Sequence, residues 1–236
     1  MFIGHYAPAF LAAAVSPRAP RLGTLFVAAQ FLDYGFFGLS LVGLEHARIV
    51  PAFTRMVPLD LYDMPFTHSL VGAAGWALVA ALALIAWHGT VRVAVVAGAV
   101  VISHWLLDLL VHAPDLTLAG HPPRYGLGLW NQPGVAMPLE LLLTFGAFAF
   151  YIARTRALGP VGRREPVILA VLLLVVQAVN WWGPQPTAFT PGTAILALAV
   201  FTVLAYSASW ADRCRELRPR APAEPVPYDE PVAESA

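Results

Sequence analysis

An all-α protein that threads a membrane about six times is the architecture this sequence predicts, and three observations carry the expectation. Only 12% of the residues are charged and 58% are hydrophobic, whereas a soluble domain has about 25% charged residues covering its surface. The mean hydropathy is +0.67. The apolar residues also fall into runs close to the ~20 residues a helix needs to cross a bilayer. Prolines, glycines and arginines separate these runs.

In chain order, residues 1–15 are apolar, contain His5 and Pro8, and lack the basic lead-in of a secretory signal, so a retained short N-terminal helix is expected. The prolines and polar residues of 16–21 make a turn. Residues 22–44 form a first span interrupted only by Asp33, and 45–65, with two arginines, two aspartates and three prolines, a loop. Spans follow at 66–87, with His68 near its start, and at 91–112, which Pro114 terminates because proline has no N–H to donate. A Pro- and Gly-rich loop covers 113–134. The remaining spans are expected at 135–153 with Glu140, at 167–182, and at 190–211 without a charge. The tail, 212–236, has too little apolar content to pack and is expected to be disordered.

Eleven of the fourteen arginines fall on one side if the loops alternate, among them Arg18, Arg21, Arg92 and those of the 154–164 loop and the tail. Only Arg48, Arg55 and Arg124 fall on the other. Basic loops stay in the cytoplasm, so the tail is expected there. A formal net charge of zero gives no electrostatic case for nucleic acid. The single cysteine, Cys214, excludes an intramolecular disulfide and a cysteine-rich metal site.

His104, Asp108 and His112 are spaced four apart and share one helix face in an otherwise apolar run. A carboxylate there is costly unless paired, and either a metal ion or a histidine locking two helices together would pair it. Counting ~1.5 Å per residue from the loop ends puts His5, Asp33 and His104 at similar depth, with His68 and Asp108 somewhat further out. These five come from four different segments, and ionisable groups inside a membrane default to function. They are the candidate metal ligands: imidazole and carboxylate are what zinc accepts when no thiolate is present. Asp63 or Glu140 is then the candidate proton carrier of a catalytic site. For Glu140 the other reading is a structural pairing with Asn131 or a loop arginine. His112, at a helix end, is expected to cap carbonyls. Glu45, His46, Asp60 and His121 are expected to be solvated, and Trp87, Trp130, Trp181 and Trp182 to anchor at the membrane interface.

Gly4-His5, Phe31-Leu32-Asp33, Phe66-Thr67-His68-Ser69 and Ser103-His104 through Asp108 stand in the order of four short motifs. In this the chain resembles the bacterial membrane-bound metal-dependent hydrolases, over roughly residues 1–155. It departs from them where Gly35 replaces a second acid and Asp63-Met64-Pro65 replaces His-Arg-Gly. A looser similarity is to zinc-dependent phospholipase C. The resemblance implies a helical metal-site core at 1–155 in a bacterial inner membrane, and the apolar runs add two further spans within 156–211. It also implies a divalent metal, zinc by preference, acting on a lipid or other membrane-associated ester or phosphoester, the membrane lipid being the expected partner. The alternative is a transporter or channel that uses the His/Asp cluster as an ion or proton site. Against it, the polar groups concentrate in the first four spans and leave the last two inert.

Overall fold

The computed structural model describes residues 1–16, 19–88 and 90–219. The chain opens with a buried 3-10 turn, Ile3–Tyr6, that runs into α1 (Ala7–Val15). Next come α2 (Leu22–Ala29) and α3 (Phe31–Leu41), then the strands β1 (His46–Ile49) and β2 (Leu59–Asp63), which pair antiparallel. Two long helices, α4 (Leu70–His88) and α5 (Val91–Val111), follow. The short strands β3 (Leu116–Thr117) and β4 (Arg124–Tyr125) form a second ribbon before α6 (Pro133–Arg154). Strand β5 (Thr155–Ala157), helices α7 (Pro160–Trp182) and α8 (Pro191–Arg213) and strand β6 (Arg215–Leu217) complete the described fold.

Among the described residues five helices, α4 to α8, are long and apolar enough to cross a membrane, or six if α2 and α3, bent by 54° at their break, count together as one span. The fold is therefore all-α and polytopic, with small two-stranded ribbons in its loops. Helix starts follow the sequence: α6, α7 and α8 each have proline in the first turn, where its missing N–H costs nothing. Thr190 closes a capping box with Thr193 at the head of α8.

Several boundaries differ from the sequence expectation. The first span is bent at Gln30, and α4 begins only at Leu70, leaving His68 in the turn before it. Pro160 starts α7 early, so Arg163 and Arg164 lie on the helix and the fifth long span is a full 23 residues. Past Asp212 the chain does not fray at once. Strand β6 pairs with β5, and the Arg215 guanidinium is bound by Thr155 Oγ1 and the carbonyls of Gly162 and Thr155. The expectation for 220–236 lies outside the described residues.

The core is built where α1, α2, α6 and α8 meet. Tyr6 stacks on Phe26 at 4.1 Å, and Phe10 packs edge-on against both Phe26 and Phe148. Helix α8 lies along α2 and α3, so the last two spans belong to the same apolar core as the first. Helix α4 packs on α5 and leaves most of its surface outward, as a lipid-facing helix does.

Candidate metal centre

Asp108, on α5, is the centre of the site. It is 2% exposed, and both oxygens are surrounded. Oδ2 stands 3.0 Å from His104 Nε2 and 3.7 Å from His68 Nε2. Oδ1 stands 3.1 Å from His5 Nε2, 3.3 Å from His112 Nε2 and 2.8 Å from the Met1 ammonium. Asp33 adds a second carboxylate, its Oδ1 lying 3.4 Å from His68 Nε2 and 3.6 Å from His104 Nε2. The structure thus brings together His5, Asp33, His68, His104 and Asp108, and adds His112.

Each element positions its ligand for a local reason. The break at Gln30 interrupts the helix ladder, and the Ala29 carbonyl accepts from His104 Nδ1 at 2.7 Å. The same break puts Asp33 in the first turn of α3, where unpaired N–H groups favour a carboxylate. His112 caps α5 by its backbone N–H, donated to the Asp108 carbonyl, while its side chain turns inward. There its ring packs on Trp130 at 4.3 Å. The 3-10 turn carries His5, whose ring stacks on His104 at 3.7 Å.

The tautomers of three histidines follow from their partners. His104 Nδ1 faces a carbonyl, which can only accept, so it carries the proton. His112 Nδ1 donates to Asp115 Oδ1 at 2.9 Å. Thr67 spends its one hydroxyl proton on Glu45 Oε2 at 2.6 Å, so at 2.8 Å it accepts from His68 Nδ1. When neutral, all three imidazoles therefore turn a lone pair, at Nε2, toward carboxylate oxygens. Lone pairs facing lone pairs repel unless a proton or a metal cation stands between them. Donors held through their far nitrogen are also how proteins orient metal-binding imidazoles.

The separations fit an ion. Contacts of 3.4–3.7 Å are too long for hydrogen bonds. Two ligand atoms each ~2.1 Å from a tetrahedral ion stand about 3.4 Å apart. In two triads, His5–His104–Asp108 and Asp33–His68–His104, the donor atoms all lie within 4.8 Å of one another. The buried cluster can hold a metal ion. Both ring nitrogens of His5 and Nε2 of His104 are buried without a hydrogen-bond partner, which is costly in an apolar interior.

The cluster forms one end of a cavity of about 540 Å³, within the range of small-molecule sites. Asp33, His68, Asp108, His112 and Glu140 line its polar end. Phe36 and Phe37 of α3, Val179 of α7, and Leu196 and Phe201 of α8 give the apolar walls. The last two spans are thus not inert: they form the wall opposite the histidines. Trp130 and Trp181 also line this cavity, so Trp130 is part of the site and not only an interfacial anchor.

The two candidate proton carriers lie in different places. Glu140 lines the cavity and holds the N-terminal segment: Oε1 accepts from the N–H of Phe2 and Gly4, and Oε2 from Gln177. Neither Asn131 nor an arginine is among these partners. Asp63 is half-exposed, bonded to His46 at 2.8 Å, and lines a separate small pocket, so the structure does not bring it to the histidines.

Glu45 overturns the solvated expectation. It is 1% exposed and accepts from Thr67 Oγ1 and from the N–H of Phe66 and Thr67. Asp60 is likewise buried, against Arg48. Glu45 and Asp115 stand behind the cluster's histidines, Glu45 through Thr67 to His68 and Asp115 at His112, and sequence reasoning pointed to neither. Asp115 had a local signal, its spacing of three from His112, and Glu45 had none. No family model, curated protein or solved structure matches the chain.

Proposed function

We propose that this is an integral membrane hydrolase that uses a divalent metal ion, zinc by the nature of its donors, to cleave an ester of a lipid or other membrane-associated molecule. The observation that supports it is the convergence of Nε2 lone pairs and two carboxylates at the polar end of an apolar-walled cavity. A divalent ion bound there supplies Lewis acidity and makes water a nucleophile near neutral pH. The protein's own part is to orient and to exclude. Asp115, Glu45 through Thr67, and the Ala29 carbonyl fix the imidazoles. The α3, α7 and α8 walls accept an acyl chain and keep bulk water out. Glu140 is the cavity carboxylate outside the ligand set, and its Oε2 keeps lone-pair capacity to accept a proton. The arginine bias puts the basic tail in the cytoplasm and the site toward the opposite face, in a bacterial inner membrane as the motif order implies.

The test is release of product from carboxyl and phosphoester lipids reconstituted with the protein, with and without a chelator. Chelator-sensitive hydrolysis, lowered at least ~10²-fold in Glu140→Gln at unchanged metal content, is expected. A metal- or proton-coupled flux in proteoliposomes, lost in His104→Ala and accompanied by no ester cleavage, would replace the hydrolase with a transporter.

A further inference from the structure

The cavity that ends at the histidines divides its chemistry between two sides. Its apolar side follows one face of α8, where Thr193, Leu196, Ala197, Val200 and Phe201 succeed one another at helical spacing. At ~1.5 Å per residue this strip is about 12 Å long. It runs from the α7–α8 connection, whose Pro184 and Pro186 also line the cavity, down to an aromatic floor. There the rings of Phe2 and Phe37 each lie 5.9 Å from that of Phe201. A volume of about 540 Å³ is that of a site for one drug-sized molecule. One acyl chain with its head fits such a space, and a two-chain membrane lipid does not.

The polar side carries three carboxylates, Asp33, Asp108 and Glu140. Phosphate groups are held by guanidinium forks, by lysine or by bare helix N-termini. Among the described residues that line the cavity none is arginine, and the chain contains no lysine. The Met1 ammonium is committed to Asp108 at 2.8 Å. The head of α8 stands at the mouth, but Pro191 has no N–H and the Thr193 N–H is taken by Thr190 Oγ1 at 3.3 Å. A divalent ion among the histidines brings two charges, which Asp33 and Asp108 match, so no surplus is left for a phosphate. What the mouth offers is uncharged: the Asn180 carboxamide, which both donates and accepts and so suits alcohol hydroxyls.

We propose that the cavity takes a single acyl chain joined by a carboxylic ester to an uncharged alcohol, a lipid of the monoacylglycerol class, and not a phosphoester. The proposal rests on the hydrolase reading above and narrows its substrate from membrane esters in general to this class. The chain lies along the α8 face, the ester faces the histidines and aspartates, and the alcohol reaches Asn180. Water adds to the acyl carbon and the acyl C–O bond breaks. The water oxygen stays with the acid, the alcohol oxygen leaves with one proton, and the second proton passes to solvent.

The experiment uses the full chain in phosphatidylcholine nanodiscs, where two-chain lipid is in excess throughout. Two probes without an ester, a decyl ether of glycerol and a decylphosphonate, each carry a diazirine at the chain end. After irradiation, peptide mass spectrometry is expected to find the glycerol probe on Phe37 and Val200, at least ~10-fold above the phosphonate, both scaled to labelling of the lipid-facing α4. Ala197→Phe fills the slot away from the donor atoms and is expected to remove this labelling at wild-type metal content. The comparison of the two probes needs no variant, so a misfolded Ala197→Phe does not remove the test. Decanoylglycerol is expected to be hydrolysed and phosphoester lipids are not. Selective labelling with no hydrolysis overturns the hydrolase reading and leaves the lipid class standing. Equal labelling by the phosphonate, or cleavage of phosphoesters alone, overturns this inference and leaves the hydrolase reading standing. Labelling confined to α4 overturns the lipid site.

Discussion

Glu45 touches no donor atom of the candidate centre, yet it sets the tautomer of one of its histidines. Its carboxylate can only accept, so Thr67 donates to it, and His68 Nδ1 must then donate to Thr67. Glu45→Gln reverses the chain. The amide N–H faces Thr67, the hydroxyl turns to His68 Nδ1, and the proton of His68 moves to Nε2, where a ligand lone pair is needed. Removing such an outer partner costs roughly 10–100-fold in metal affinity. Chelator competition on purified protein is expected to show that loss in Glu45→Gln and wild-type affinity in Thr67→Ser, which keeps the hydroxyl. Equal affinities for wild type and Glu45→Gln would remove the relay. Asp63 behaves differently. With His46 as its partner on an open ribbon, Asp63→Asn is expected to leave metal content unchanged, and a measured loss would place Asp63 at the site after all.

At the scale of elements, the bent α2–α3 span does the organising. Its break exposes the Ala29 carbonyl for His104 and starts a new helix just before Asp33. Gly35, one turn further on, lets α3 lie against the turn that carries His68. A Cβ there would come within 3.0 Å of both Thr67 Cγ2 and Trp76 Cζ2. Gly35→Val is expected to push Thr67 off Glu45 and weaken metal binding, with thermal stability lowered by about 1–3 kcal/mol, the usual cost of overpacking. Unchanged stability and affinity, measured by thermal unfolding and chelator competition, would show that the helix has room to give. The histidine and aspartate positions were legible in the sequence because helical spacing and depth are arithmetic. The four-residue steps from His104 to Asp108 to His112 follow from 3.6 residues per turn. The break was not legible: no proline or glycine marks it, only Gln30 among apolar neighbours. Glu45 was invisible for another reason. Its burial follows from how the β1–β2 ribbon folds back beneath residues 66–67, a long-range packing that no local pattern encodes.

At the scale of the molecule, two sets of loop ends separate. Residues of the β1–β2 ribbon, Trp130 and the α7–α8 connection line one cavity and so gather at one end with the candidate metal centre. Strands β5 and β6 join the end of α6, the start of α7 and the end of α8. That second end carries Arg154, Arg156, Arg163, Arg164, Arg213 and Arg215, and from the positive-inside bias we propose that it faces the cytoplasm. Cys214 lies there, so a membrane-impermeant thiol reagent is expected to spare it in intact cells and modify it in inverted vesicles. Labelling in intact cells would turn the protein over and put the site toward the cytoplasm. The central claim, that the buried histidines and aspartates exist to hold metal, is tested most directly by elemental analysis of the purified chain beside Asp108→Asn and Asp63→Asn. The account predicts a transition-metal ion in the wild type and in Asp63→Asn, and its loss from Asp108→Asn that still inserts and elutes as folded protein. Equal metal in all three, or none in the wild type, would contradict it.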